Sequence, residues 1–309
     1  VISGVTLALT LYIFSLYDYE KGGFQFESSS NWLTQPININ FSLGIDGIST
    51  AMLLLTGIVM FSGVLLTWNL ERRVKEFFIL FMFLLSGVFG VFAVRDLFFL
   101  FFFYELAVLP MYPLIGIWGS SSDFGTFLRT KEYGAMKLVL YLVGGSVLVW
   151  IGIIGVYAAS SDFGTPTFSL ETLSVISEQG AFSHDFQLFF FPLFMIGFGI
   201  LAGLWPFHTW SPDGHVAAPT SVSMVHAGVL MKLGAYGIIR VGMTILPEGA
   251  QDWMPALIVF GTINVIYGAV AAMSQRDLKY VVGYSSVSHM GIVLMGIATL
   301  NPMGMSGAV

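Results

Sequence analysis

Glu105 stands in a run, residues 97–118, that carries no other charged side chain. An ionised carboxylate at lipid depth costs several kcal/mol unless it is paired, hydrated or protonated, so it is rarely kept there without a task. Two lysines, Lys137 and Lys232, and two histidines, His226 and His289, also fall in strongly apolar stretches. Such groups can pass protons or cations along, because desolvation disfavours their charged forms while a nearby opposite charge favours them. Lys232 has Gly228 and Tyr236 one helical turn away on its own face, which leaves room for water and offers one hydroxyl. His289 has Ser285 and Ser286 at i−4 and i−3, a polar strip behind the imidazole.

The elements that must position these groups follow from composition. With 56% hydrophobic residues, 10% charged residues and a mean hydropathy of +0.83, the chain has too little polar surface to cover a soluble globule. Its net charge of -6 offers no basic face to nucleic acid. The absence of cysteine removes disulfides, thiolate metal sites and iron–sulfur clusters from consideration. Apolar runs of the length a helix needs to cross about 30 Å of hydrocarbon fall near 1–17, 48–68, 77–94, 97–118, 135–157, 187–206, 217–239, 253–273 and 280–299. They predict an all-α polytopic membrane bundle of about nine transmembrane helices. A transmembrane β-barrel would need short alternating segments, whereas residues 77–94 and 138–161 are almost continuously apolar.

Charge sets the orientation. Arg72, Arg73, Lys75, Arg129, Lys131, Arg276 and Lys279 fall on one side, and only Lys21, Arg95 and Arg240 on the other, provided that Arg95 and Asp96 form a true turn. The loops 69–76, 119–134 and 274–279 are therefore inward, and the segments 18–47 and 158–186 outward. Residues 1–17 lack a positive start and a small-residue cleavage site, so they read as a helix cut at its start rather than a signal peptide. Further chain beyond Val309 is expected too.

Pro206, Pro212 and Pro219 cannot all sit inside one regular helix, so the chain must break near them and leave backbone amides and carbonyls open. A plain surface loop would also explain the prolines, but His208, Asp213 and His215 lie among them. A metal site built from those three is weak, because the prolines deny them a defined helix face. Lys137, close behind Arg129 and Lys131, is as compatible with a snorkelling lysine at the inner interface as with a relay group. His226 taken alone fits helix packing as well as proton carriage. Asp46 is expected to cap a helix start. The glycines at 197 and 199 match a loose dinucleotide fingerprint, yet they sit inside a span with no strand before them, so close helix packing is the expectation.

Four stretches carry a resemblance. They are Gly44-Ile-Asp-Gly-Ile-Ser, Phe103-Tyr-Glu-Leu-Ala-Val-Leu-Pro-Met-Tyr-Pro, residues 204–240 around Pro206-Phe-His-Thr-Trp, and Tyr284-Ser-Ser-Val-Ser-His-Met-Gly. Together they resemble the antiporter-like membrane subunits of proton-pumping NADH:quinone oxidoreductase, in particular the M or chain 4 branch, and the related Mrp-type cation/proton antiporter subunits. The resemblance implies two inverted five-helix repeats, each with a broken helix at its centre. Here residues 1–76 would hold N-terminal helices and an outward loop. The first repeat would span 77–239 with its broken helix near 187–219, and a truncated second repeat would begin in 253–309.

By the same resemblance Glu105 is the membrane glutamate near the input half-channel, Lys232 the lysine of the central axis, and His289 the histidine that continues the axis into the second repeat. No cofactor is expected in this chain. NADH, FMN, iron–sulfur clusters and quinone belong to partner subunits, which include other membrane subunits and, indirectly, a hydrophilic redox arm. The location implied is a bacterial inner membrane or an organellar membrane. One position departs from the pattern: the lysine that the family places five residues before Pro206 is Leu201 here. Either His226 or Lys137 supplies the partner for Glu105, or the route varies, or the chain no longer pumps. The readings carried forward are a proton-translocating subunit of the oxidoreductase, a subunit of a secondary Na⁺/H⁺ antiporter, and a non-pumping structural module.

Overall fold

The computed structural model describes residues 1–33, 37–123 and 128–309. Parts of the outward 18–47 and inward 119–134 loops therefore lie outside the described residues. Helix α1 (Ile2–Leu16) leads into the hairpin β1 (Gln25–Leu33) and β2 (Ile39–Ile45), which pair antiparallel. Then come α2 (Gly47–Leu66), α3 (Val74–Ala93), α4 (Leu97–Val108) and α5 (Met111–Trp118). A two-residue pair, β3 (Ser122–Asp123) and β4 (Leu128–Arg129), precedes the long α6 (Lys131–Ala159) and the short α7 (Leu170–Glu178). After α8 (His184–Ala202) the chain breaks, resumes as α9 (Trp210–Ala217) and α10 (Thr220–Val225), and continues through α11 (Met231–Gly237) between two π-helical stretches, His226–Leu230 and Ile238–Met243. It closes with α12 (Pro247–Met273), α13 (Leu278–Ala298) and α14 (Pro302–Ala308).

Eight helical segments are long and apolar enough to cross a membrane, among the described residues. The expected nine reduces to eight because α1 has 15 residues, short of a full crossing. The multi-pass all-α membrane bundle is otherwise as expected. The outward hairpin was not foreseen, since residues 25–33 are mostly polar and largely exposed.

Capping fixes where spans begin. Asp46 Oδ1 accepts the Ser49 amide at 2.8 Å, as expected of a helix start. Asp96 makes the Arg95–Asp96 link a true turn: its Oδ1 accepts the amides of Phe98 at 2.9 Å and Phe99 at 3.3 Å, while Oδ2 takes that of Asn40 at 3.4 Å. Small residues let the spans approach. A Cβ on Gly197 of α8 would lie 2.7 Å from the Gly145 carbonyl oxygen and 2.7 Å from Val149 of α6, so the 197–199 glycines serve helix packing.

The break after α8 governs the interior. Gly203 ends α8 at φ +77, a conformation open to glycine at little cost, and the Leu204 amide reaches back to the Gly199 carbonyl at 2.8 Å. The groups freed beyond it are satisfied by side chains. Fully buried Asn264 of α12 accepts the Trp205 amide at 2.6 Å and donates to the Gly203 carbonyl at 2.9 Å. Trp210 donates its indole N–H to the Ile200 carbonyl at 3.0 Å.

Replacing Asn264 by the isosteric leucine leaves one buried donor and one buried acceptor unpaired, at about 1–3 kcal/mol each. A clear drop in the melting temperature of the purified protein in detergent is expected, and an unchanged Tm would show that the break does not rest on this amide. Asp96, outside the spans, adds a pH signature. Burial pushes its carboxyl up to about 6, against the backbone donors that favour the ionised form. The folded state therefore binds the proton more tightly than the unfolded chain, and stability falls as pH rises from about 4 through about 6. Unfolding midpoints measured across that range should lose this slope in Asp96→Asn.

Candidate functional site

Helix α9 is the short element that the break makes possible, and it carries Asp213 and His215 into the interior. Glycine contacts seat it on its neighbours. A Cβ on Gly134 of α6 would lie 2.8 Å from Ala217, one on Gly214 would lie 2.8 Å from Leu138 of α6, and one on Gly283 of α13 would lie 3.1 Å from the Pro212 backbone. Lys279 donates to the Val216 and Ala218 carbonyls at 3.4 and 3.2 Å, covering the end of α9.

Asp213 is almost fully buried and takes two cations. Its Oδ2 accepts Lys137 Nζ at 2.8 Å, and its Oδ1 pairs with the Arg129 guanidinium and accepts the Tyr280 hydroxyl at 3.3 Å. Arg129, in the loop before α6, also donates to that hydroxyl at 3.2 Å. Burial works against the Arg129 charge, but Asp213 and Tyr280 outweigh it and raise its affinity for the proton. A cleft of about 810 Å³ runs between the 120–123 and 274–279 segments and reaches Val216 at the end of α9.

Next along α9 is His215, whose Nδ1 meets the Ser223 hydroxyl at 3.1 Å and whose Nε2 meets Ser286 at 3.4 Å. Its ring stacks on that of His226, centroids 3.9 Å apart and planes within 14°. His226 in turn stacks on Trp210 at 5.1 Å. Among the described residues both ring nitrogens of His226 are buried without a hydrogen-bond partner, as are both of His208, which meets Tyr267 edge-on at 4.8 Å. Lys232 lies within electrostatic reach of both stacked imidazoles, and its Nζ donates to the Ala227 carbonyl.

Glu105 occupies α4 apart from this network. One carboxylate oxygen is buried without a partner, as is the hydroxyl of neighbouring Tyr104, and Ser146 of α6 faces the carboxylate. Among the described residues no ion pair or hydrogen bond joins Glu105 to Lys137 or His226, the two partners that the sequence suggested. Lys137 is committed to Asp213, and His226 is clamped between two rings. Leu201 is fully buried in the apolar core and brings no charge. His289 sits exposed on α13.

Sequence reasoning thus named Lys137, His226, Lys232 and Glu105 but missed the roles of Asp213, Arg129, Tyr280 and Asn264. Asp213 was visible as an acid beside two histidines, and Asn264 as a lone amide in an apolar span. The proximity of Arg129 and Tyr280 had no local signal. The chain has no cysteine, and among the described residues no cluster of three or more His, Asp or Glu could hold a metal.

Residues 94–309 match the family described as NADH:quinone oxidoreductase/Mrp antiporter, TM, and the chain belongs to it. It is 37% identical over 293 residues to NAD(P)H-quinone oxidoreductase chain 4 2 of Thermosynechococcus vestitus, which covers 95% of this chain and 52% of that relative. The chain spans about half the length of the curated relatives it matches. Its fold superposes on a chain of respiratory complex I from Thermus thermophilus with a TM-score of 0.86 at 26% identity, over 99% of this chain and 61% of that one. A chain of the Mrp complex from Dietzia shares the fold at a TM-score of 0.78 and 20% identity, over 99% of this chain and 54% of that one.

Asp213→Asn removes the buried counter-charge of Lys137, and breaking a buried pair costs about 3–5 kcal/mol, less where, as here, the lysine is 19% exposed. Thermal unfolding of the single variant and of Asp213→Asn combined with Lys137→Met should show partial recovery in the double. Strictly additive losses would mean that the two side chains do not interact.

Proposed function

We propose that this chain, as a member of that family, is a proton-translocating membrane subunit of an NADH:quinone oxidoreductase-type complex. Protons move through Glu105, Lys137, His226, Lys232 and His289 while electrons move in other subunits. The observation that carries the reading is the buried titratable run from Arg129, Asp213 and Lys137, through the stacked His215 and His226, to Lys232 beside the break. Buried ionisable groups at membrane depth are expensive and mark ion or proton pathways. In this run the neutral or cationic imidazoles and ammonium groups outnumber the carboxylate, which suits proton exchange and repels Na⁺. His226, beside Lys232, takes over the buried titratable role that a lysine at Leu201 would have served. Residues 77–239 form the first inverted repeat in this reading, and 253–309 open the second. NADH, FMN, iron–sulfur clusters and quinone reside in partner subunits, reached through neighbouring membrane subunits and a hydrophilic arm.

A second reading, a subunit of a secondary Na⁺/H⁺ antiporter, is favoured by the shared fold of the Mrp chain. The test uses the complete complex in proteoliposomes, with a potassium diffusion potential driving protons and a pH-sensitive dye reporting them. Glu105→Gln and Lys232→Ala should each slow the flux by about tenfold or more with assembly intact, the scale of losing a positioned proton carrier. Normal flux in both variants would leave only the structural module, and flux that requires Na⁺ would select the antiporter.

A further inference from the structure

Lys232 has a second polar neighbour in Tyr236. Its side chain and that of Tyr236 share the wall of a cavity of about 180 Å³, otherwise apolar, with Ile48, Met52, Leu55 and Val293 among its lining. At about 30 Å³ per molecule that volume has room for water, which the two polar residues of its wall, Lys232 and Tyr236, would hold. From the cavity a string of polar groups runs toward the outward face. The Tyr236 hydroxyl lies 3.1 Å from the buried Ser49 hydroxyl and accepts from Arg240 Nε at 3.2 Å. The Arg240 guanidinium pairs with Asp46, whose other oxygen holds the Ser49 amide, and it lies 4.9 Å from the Phe24 ring centroid. Asp46 and Arg240 are 18% and 15% exposed, so the string ends at the surface beside the 18–47 segment.

We infer that Tyr236 and Ser49 form an outward proton relay from Lys232, with the Arg240–Asp46 pair orienting Tyr236 at its mouth. The inference rests on the proposed function and adds an exit within the helices described. Arg240 Nε donates to the Tyr236 oxygen, and in the relay the phenolic hydrogen is the one given to Ser49 Oγ, a contact in which either hydroxyl can donate. Lys232 releases a proton by breaking one Nζ–H bond and keeps the electron pair as a neutral amine. A cavity water takes that proton and passes one of its own to the Tyr236 oxygen. As that O–H bond forms, the phenolic O–H proton moves to Ser49, whose own proton leaves to water beside Asp46. Each hydroxyl ends as it began, and the net change is one proton moved outward. Asp46 balances the Arg240 charge, which would otherwise repel the arriving proton.

The test uses the complete complex in the proteoliposome assay described above. Tyr236→Phe keeps the ring packed edge-on against Phe92 at 5.1 Å and removes only the hydroxyl. Ser49→Ala removes the next group. Each should lower the flux by about tenfold, and because the two act in series the double variant should be no slower than the slower single. A purely structural role would leave flux unchanged or give losses that multiply in the double, and either result overturns the relay. Should Tyr236→Phe fail to assemble, Ser49→Ala decides alone. Lys232→Ala separates the two levels: blocked flux there with normal flux in Tyr236→Phe and Ser49→Ala removes this exit and keeps the proposed function. Normal flux in Lys232→Ala removes this exit, and normal flux in Glu105→Gln as well removes the proposed function.

Discussion

A helix interrupted at membrane depth must find partners for the backbone groups it frees, because lipid offers none. Much of the interior follows from how this chain meets that requirement between Gly203 and Pro206. Gly203 turns the backbone, Asn264 supplies both a donor and an acceptor from α12, and the Trp210 indole covers the Ile200 carbonyl. The same Trp210 ring then stacks on His226. Closing the break and positioning a buried imidazole are thus done by one side chain. Asn264 ties α12 to the interruption of α8, so the helix that follows the polar run is anchored to the feature that creates it.

Electrostatics then sorts the buried groups. Asp213 carries one negative charge against Lys137 and Arg129, and this network reaches the inward loops. Deeper in, the histidines stack face to face and are spared the full cost of burying a fixed charge, since imidazole can be neutral. Lys232 is the remaining ammonium, held by the Ala227 carbonyl where the π-helical turn opens the usual helical hydrogen bonding. Leu201 is fully buried in the hydrophobic core, where a lysine would have to be paired or neutral. Glu105 has Tyr104 and Ser146 of α6 as polar neighbours, and among the described residues no cation pairs with it.

The spans were legible because length and apolarity decide them, and the Arg95–Asp96 turn because a cap residue marks it. Helix α1, expected over residues 1–17, forms over Ile2–Leu16, close to those bounds. The β1–β2 hairpin escaped because β1 is mostly polar with no alternation, although β2 does alternate Ile39, Phe41, Leu43 and Ile45 with Asn40, Ser42 and Gly44. Within the site, residue types pointed to Lys137, His226 and Lys232, but pairing is tertiary. Lys137 meets Asp213 across 76 positions, and Arg129 meets Tyr280 across 151. The His215–His226 stack spans two elements separated by Pro219, where no periodicity carries over. The prolines indicated open backbone groups, and only the fold shows that Asn264 and Trp210 close them.

The central claim is that protons cross this chain along its buried polar run. A hydrogen-bonded path there needs the unpartnered atoms of Glu105, Tyr104, His208 and His226 to be reached by water. The most direct test is a map of the complete complex in a lipid nanodisc at a resolution that shows ordered water. The account predicts waters bonded to these atoms and bridging from His208 and the His215–His226 pair to Lys232. A dry axis, with the same atoms enclosed by apolar side chains in every state captured, would contradict it.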